Sequence, residues 1–243
     1  MQKFLKNALL IAALVAAGST HAAVITFDDL AASPFALNMP LLGHNDEFYQ
    51  AGFWMDPFSN QAGALNGDLV GAIVDGADLT NTCFSVACPT NNVTKFYTAL
   101  NDGVLALGVL NGSSFSVGSF DASFVGASGE IFPNTTLILR LQGTKLGGGA
   151  LTASVNLPGP VAGAFGFQSY VTSGAFATQQ FTEMFIYGLA CNAAGSCSAF
   201  STDKGQFALD NINVTAVPEP SSWLLMGLGL AAVGAIARRR RAT

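Results

Sequence analysis

Short stretches of alternating apolar and polar residues run through most of the chain, separated by glycine, asparagine, serine and proline. A period of two is typical of β-strands that bury one face. The pattern predicts strands at residues 24–27, 69–74, 104–110, 115–117, 137–142, 151–157, 165–167, 181–187 and 207–215. Apolar stripes of helical spacing do not extend beyond about two turns. We therefore expect an all-β fold, namely an antiparallel β-sandwich or jelly roll.

The last predicted strand changes phase within its length. Phe207 and Leu209 share one parity, whereas Ile212 and Val214 have the other. A shift of one residue is what a β-bulge produces, and a bulge redirects the side chains around it. The pattern therefore predicts a bulge at Asp210-Asn211.

The N-terminal segment has the order of features of a secretory signal peptide. Lys3 and Lys6 precede an apolar run at residues 9–17, and small residues follow up to Ala22. This order predicts export by the Sec machinery and cleavage after Ala22, so that residues 1–22 are a signal peptide. A buried N-terminal helix is the alternative.

A second apolar run, residues 223–237, precedes four arginines, Arg238, Arg239, Arg240 and Arg241. As a helix it is about 22 Å long, and it can span a bilayer if Ser221 and Ser222 enter the interface. Arginines cross a bilayer at high cost, so they stay cytoplasmic and the rest of the chain lies outside. A core helix with a basic nucleic-acid-binding tail is the alternative.

Between the two ends, residues 23–216 are expected to form one domain, because no linker or change of composition divides them. Residues 23–217 hold fourteen acidic and four basic side chains, which gives a net charge of −10. A nucleic-acid partner requires a basic surface, so this charge argues against one. It suits a soluble surface protein or one that meets divalent cations.

All four cysteines lie in this domain as two close pairs, Cys83 with Cys88 and Cys191 with Cys197. In an exported chain such pairs indicate two disulfides. Four cysteines allow three connectivities, of which we expect the local one. Zinc binding is the alternative, but the usual Cys-x2-Cys spacing and accompanying histidines are missing.

Few residues are available for catalysis. After removal of the signal peptide the only histidine is His44, in the polar loop 43–47, where a solvated loop residue is the simpler interpretation. Nucleotide-binding loops and His-Glu metal clusters are missing from the sequence. We expect a protein that is not an enzyme, with a secreted hydrolase of matrix polysaccharide, acting through two carboxylates, as the alternative.

Two polar pairs flank the domain and form a candidate cation site. Asp28 and Asp29 open it, and Asp210 and Asn211 close it. If the first and last strands lie side by side, these oxygens supply part of the six to eight ligands that Ca²⁺ takes. The alternative is that the acids are solvated strand ends, with Asp210 hydrogen-bonded at the bulge.

Phe53, Trp54 and Phe58 form an aromatic stretch within residues 51–58. Exposed aromatic rings can stack on sugar rings, whereas buried ones would belong to the core. Both interpretations stay open at this point, and the first predicts binding to polysaccharide.

Val217 is followed by Pro218, Glu219 and Pro220, directly before the apolar run and the arginines. Residues 217–241 resemble the PEP-CTERM sorting signal of Gram-negative bacteria, so 217–243 is expected to be a sorting tail. The prolines hold the motif extended and stop the membrane helix from propagating backward. The resemblance implies cleavage near the motif by an exosortase-type enzyme.

The same resemblance implies an anchor in the inner membrane that faces the periplasm, followed by transfer to the cell surface or matrix. PEP-CTERM proteins are associated with exopolysaccharide and biofilm. The FDDL opening at 27–30 and the FALDNI ending at 207–212 resemble surface domains similar to carbohydrate-binding jelly rolls. A structural or a carbohydrate-binding role is therefore expected.

Overall fold

The computed structural model describes residues 21–30, 41–83, 86–127, 135–200, 204–217, 227, 229–230 and 233–234. The predicted signal peptide lies outside them except for His21 and Ala22. The sorting-motif residues Pro218, Glu219 and Pro220 and the arginines 238–241 also lie outside.

Strands dominate the described part of the chain, and only two short helices occur in its domain. The strands are β1 His21–Ile25, β2 Leu41–Gly43, β3 Phe48–Gln50, β4 Phe53–Ser59, β5 Leu69–Asp75, β6 Val86–Ala87, β7 Lys95–Ala99, β8 Gly103–Val109, β9 Ser114–Phe124, β10 Gly126–Ala127, β11 Thr135–Lys145, β12 Ala150–Pro158, β13 Gln168–Val171, β14 Phe181–Cys191, β15 Cys197–Ser198 and β16 Phe207–Val217. The helices are α1 Leu79–Thr82 and α2 Gly174–Thr178.

Fourteen of these strands form one hydrogen-bonded sheet, whose main path is β2-β5-β7-β16-β9-β14-β8-β4-β3. β1 pairs with β16, β11 with β14, β12 with β11, β13 with β9 and β15 with β14, all antiparallel. β5 also contacts β4 and β8, which lie far from it along the path. The sheet therefore curls round on itself, which confirms an all-β, antiparallel fold.

The inner side of the curl holds a core rich in phenylalanine. Phe27, Phe48, Tyr97 and Phe207 pack together with ring centroids 6.0–6.4 Å apart. In β11 the predicted alternation is confirmed, since Leu137, Leu139 and Leu141 are buried in this core.

The first and last strands lie side by side, with Ile25 opposite Ile212. The predicted bulge is also confirmed, because the register of β16 against β9 shifts after Asp210. Asn211 there adopts a left-handed backbone conformation with φ of 50°.

The predicted strand at 165–167 is wrong, since β13 begins only at Gln168. The backbone of Phe167 is not available for strand pairing, because the Asn91 side-chain amide accepts its N–H and donates to its carbonyl. Residues 53–58 were expected only as an aromatic stretch, yet they lie in β4, where Pro57 is tolerated opposite Leu105.

Both predicted disulfides are confirmed in the local pairing, Cys83–Cys88 and Cys191–Cys197. The first closes the segment 83–88, which directly follows α1 and contains β6. The second joins β14 to β15, whose paired residues include the two cysteines themselves.

Within the described residues, no helix combines the length and apolar character that crossing a membrane requires. The predicted membrane helix at 223–237 falls largely outside those residues. Its described positions, 227, 229–230 and 233–234, are helical.

Gly188 of β14 provides a test of this packing. A Cβ atom there would overlap the carbonyl oxygen of Gly205 and lie 2.8 Å from Leu137 Cδ1. Because backbone cannot move aside cheaply, Gly188→Ala should lower the free energy of unfolding by about 1–3 kcal/mol, measured by urea denaturation. At Gly118 the nearest atom to such a Cβ is 3.9 Å away, so Gly118→Ala should leave stability nearly unchanged. Equal effects of the two variants would contradict the curled packing.

Candidate functional site

The alternation of β4 separates its aromatic residues between two surfaces. Phe53 is only 1% exposed and packs edge-to-face on Phe115, with centroids 5.3 Å apart. Of the two interpretations left open by the sequence, the core one is therefore correct for Phe53. Trp54 and Phe58 point to the outer side of the sheet and are half-buried.

The strand register extends this outer surface across neighbouring strands. Tyr49 lies opposite Trp54, and Trp54 opposite Gly108, whose missing side chain leaves room for the indole ring. Phe58 packs edge-to-face on Phe185 with centroids 6.0 Å apart. Because directly paired residues share one side of a sheet, these rings form one surface. We call it the aromatic face: Tyr49, Trp54, Phe58, Phe185 and Tyr187.

Polar groups stand between the rings of the aromatic face. Asp56 and Phe185 both pair with Ala106, and Phe185 also pairs with Gln142, so the three side chains share the outer side. The Tyr187 hydroxyl donates to Gln142 Oε1 at 3.1 Å. Aromatic surface interrupted by hydrogen-bonding groups is the usual composition of a ligand site.

Two carboxyl groups on this side of the sheet have perturbed acidity. Burial raises the pKa of Asp56, and the charges of Glu47 and Asp46 raise it further, while His44 lowers it. Asp56 Oδ1 is buried without a hydrogen-bond partner among the described residues. Burial also raises the pKa of Glu183.

His44 is half-buried rather than fully solvated. Its Nδ1 accepts a hydrogen bond from the backbone N–H of Ser59 at 3.0 Å. This contact ties the 43–47 loop to the end of β4, which gives the histidine a structural role.

The bulge in β16 creates a second polar region. Asp210 is 1% exposed, and its carboxylate accepts hydrogen bonds from Asn92 Nδ2 and from the N–H of Asn211, both at 2.7 Å. Burial raises its pKa to about 6, against the lowering effect of these donors, and the charge of Asp28 raises it further.

The predicted cation ligands are brought together only in part. Asp28 is exposed, interacts electrostatically with Asp210, and accepts the N–H of Lys95 at 3.0 Å. Asp29 is exposed as well. Among the described residues, no three His, Cys, Asp or Glu side chains are close enough to hold a metal. Calcium binding stays a prediction.

A groove of about 340 Å³ opens beside the bulge. We call it the bulge groove, and it is lined by Asn91, Asn92, Val93, Asp121, Phe167, Ser169 and Asn211. Only Asn211 among these was expected to have a role. The others come from segments far apart in sequence, so no local pattern could have identified them.

The family model for the PEP-CTERM protein-sorting motif matches residues 216–241. The chain therefore carries this motif at its C-terminal end, which confirms the resemblance. No curated protein matches the sequence significantly.

Three solved structures show distant likeness. TmCBM61 in complex with beta-1,4-galactotriose has a TM-score of 0.32 and 9% identity, over 68% of this chain and 88% of its own. A DUF4465 family protein from Bacteroides ovatus has a TM-score of 0.41 and 9% identity, over 81% of this chain and 99% of its own. A family 16 carbohydrate binding module has a TM-score of 0.26 and 12% identity, over 59% of this chain and 84% of its own. At such scores these likenesses carry no conclusion about fold or function.

Asp210 predicts a pH dependence of stability. A carboxyl whose pKa is raised in the folded state, here from 3.8 to about 6, stabilises the fold at low pH. That contribution is lost as the pH rises from about 4 through 6. Asp210→Asn should remove this part of the decline and leave the part due to Asp56 and Glu183, whose pKa values are also raised. The measurement is the free energy of unfolding between pH 3.5 and about 8.

Asp78→Asn, which alters an exposed acid, should retain the wild-type decline.

Adding Ca²⁺ at neutral pH tests the predicted calcium site. A bound ion should raise the melting temperature of the wild type but not that of Asp210→Asn. A wild type that gives no calorimetric heat and no shift with Ca²⁺ would dismiss the calcium site, and an unchanged pH profile in Asp210→Asn would refute the role of Asp210.

Proposed function

We propose that this exported protein binds polysaccharide through its aromatic face, in the exopolysaccharide or biofilm layer. The PEP-CTERM motif indicates export and a transient membrane anchor. In the route that we propose, the Sec machinery exports the chain and an inner-membrane anchor holds it facing the periplasm. An exosortase-type enzyme then releases it to the cell surface or matrix.

The aromatic face is the observation that carries the binding proposal. Tyr49, Trp54 and Phe185 expose part of their rings on one side of the sheet, next to the carboxyl of Asp56 and the amide of Gln142. Sugar rings have apolar faces that stack on aromatic rings, and their hydroxyl groups need hydrogen-bonding partners beside them. The curled antiparallel sheet supports a jelly-roll-like domain as the scaffold.

A hydrolase of matrix polysaccharide is the second candidate. Asp56 and Glu183 both have a raised pKa, and a raised pKa is a property that general-acid carboxyls of glycosidases share. Glycoside hydrolysis needs two carboxyls flanking one bond. We propose binding without catalysis, because the aromatic face can contact a sugar without two carboxyls that flank a glycosidic bond.

Removing the Trp54 ring tests the binding proposal. In a pull-down with the exopolysaccharide of the host, Trp54→Ala should bind roughly two- to tenfold more weakly, since a ring contact contributes about 0.5–1.5 kcal/mol. Tyr170→Ala is the matched control: it removes a half-buried ring that stacks on Phe120, away from the aromatic face. Melting temperatures of both variants would show that they are folded.

Equal retention of wild type and Trp54→Ala would refute the role of the aromatic face. The polysaccharide recovered from the pull-down should keep its chain length. Shortening that disappears in Asp56→Asn or Glu183→Gln would establish the hydrolase instead.

The sorting proposal predicts the mass of the protein recovered from the cell surface. The mature chain should begin at Ala23, carry two disulfides and end near the Pro218–Pro220 motif. Loss of residues 21–22 leaves the pairing of Ala23, Val24 and Ile25 with β16 in place. A cytosolic chain with both ends intact and free thiols would contradict export.

A further inference from the structure

The bulge groove is a distinct opening that shares no residue with the aromatic face. Its lining consists of three asparagine amides, one carboxylate, one hydroxyl and two apolar side chains. Its volume of about 340 Å³ falls within the range of small-molecule sites.

Side-chain hydrogen bonds fix both walls of the groove. The Asn91 amide donates to the carbonyl of Phe167 at 3.1 Å and accepts its N–H at 2.7 Å. Asp121 accepts from Ser169 Oγ at 2.5 Å and from Asn211 Nδ2 at 2.9 Å. A ligand would therefore meet a preformed surface, and little ordering would be needed on binding.

These contacts leave part of the hydrogen-bonding capacity of the lining amides unused. The NH₂ groups of Asn91, Asn92 and Asn211 each use one hydrogen within the protein, to Phe167, Asp210 and Asp121, and each carries a second. Asn211 Oδ1 has no partner among the described residues. The Phe167 ring, held edge-to-face on Phe96 at 5.1 Å, adds apolar surface.

The charge of the groove restricts the ligand. Asp121 is in the lining, Asp210 lies directly behind Asn92, and Asp28 is near Asp210. The residues that line the groove include no lysine, arginine or histidine. An anionic group would therefore meet carboxylates without a compensating cation, whereas a neutral hydroxyl-rich group would meet suitable donors and acceptors.

We propose that the bulge groove is a second binding site, specific for a neutral, hydroxyl-rich ligand such as an uncharged saccharide unit. Asn211 is its central contact, because the left-handed backbone of the bulge turns this amide into the groove lining. Two separate saccharide sites on one domain would let a single molecule join two polysaccharide chains.

The test uses the ¹⁵N-labelled protein recovered from the cell surface, in EDTA. Neutral tetrasaccharides of glucose, galactose and mannose, and an oligogalacturonate, are titrated separately. At least one neutral ligand should shift the side-chain NH₂ signals of Asn91, Asn92 and Asn211 saturably. Asn211→Gly keeps the left-handed backbone and should weaken this binding about fivefold, given about 0.5–1.5 kcal/mol for each lost hydrogen bond.

Asn101→Gly is the matched control, since Asn101 also has a positive φ but bonds to Leu69 away from the groove. It should bind like the wild type. Trp54→Ala should retain polysaccharide two- to tenfold more weakly, as predicted above, but keep the shifts of the groove amides, which separates this site from the aromatic face. Unmoved groove amides with every neutral ligand, or oligogalacturonate binding as tightly as the best of them, would overturn the proposal.

Discussion

A strand in this curled sheet gives every second side chain to the phenylalanine-rich core, because successive residues point to opposite sides. In β4 this rule buries Phe53 and Met55 and turns Trp54 outward. A register shift of one residue would exchange the two sets, so the core and the aromatic face are fixed together. The phenylalanine-rich interior thus determines which rings remain available to a ligand.

The closing strand departs from this rule around its bulge. Residues 207–210 are all buried, since this part of β16 has a core cluster on each side, and the extra residue of the bulge places Asn211 in the lining of a groove. Asn92 and the Asn211 N–H bind the buried carboxylate, and Asp121 holds the Asn211 amide. The recess beside the bulge is therefore polar and acidic, and hydrogen bonds hold its side chains in place. The buried carboxyl of Asp210 lies next to it, and burial disfavours the ionised form of this group.

Sequence periodicity predicted the inner residues of β11 and the bulge in β16, because both can be recognised within one strand. The pairing of β1 with β16 was only a condition of the cation-site hypothesis, taken from the usual arrangement of β-sandwiches. The bulge groove could not be predicted in the same way, because Asn91 and Asn92 meet Phe167 and Asp210 across separations of 76 and 118 residues. Likewise, Phe53 and Trp54 are adjacent in sequence, and only the register of β4 against β8 separates their roles.

The fluorescence of Trp54 tests the central claim most directly, since the claim is that register places this ring at the ligand surface. The mature chain, predicted to end near Pro218–Pro220, has Trp54 as its single tryptophan, and Trp223→Phe gives the same result in chains that keep the tail. Titration with the exopolysaccharide of the host should shift its emission to shorter wavelength and saturate, because a stacked sugar ring removes water from the indole. Emission that stays constant while the polysaccharide is retained would show that binding takes place elsewhere, and the account would be wrong.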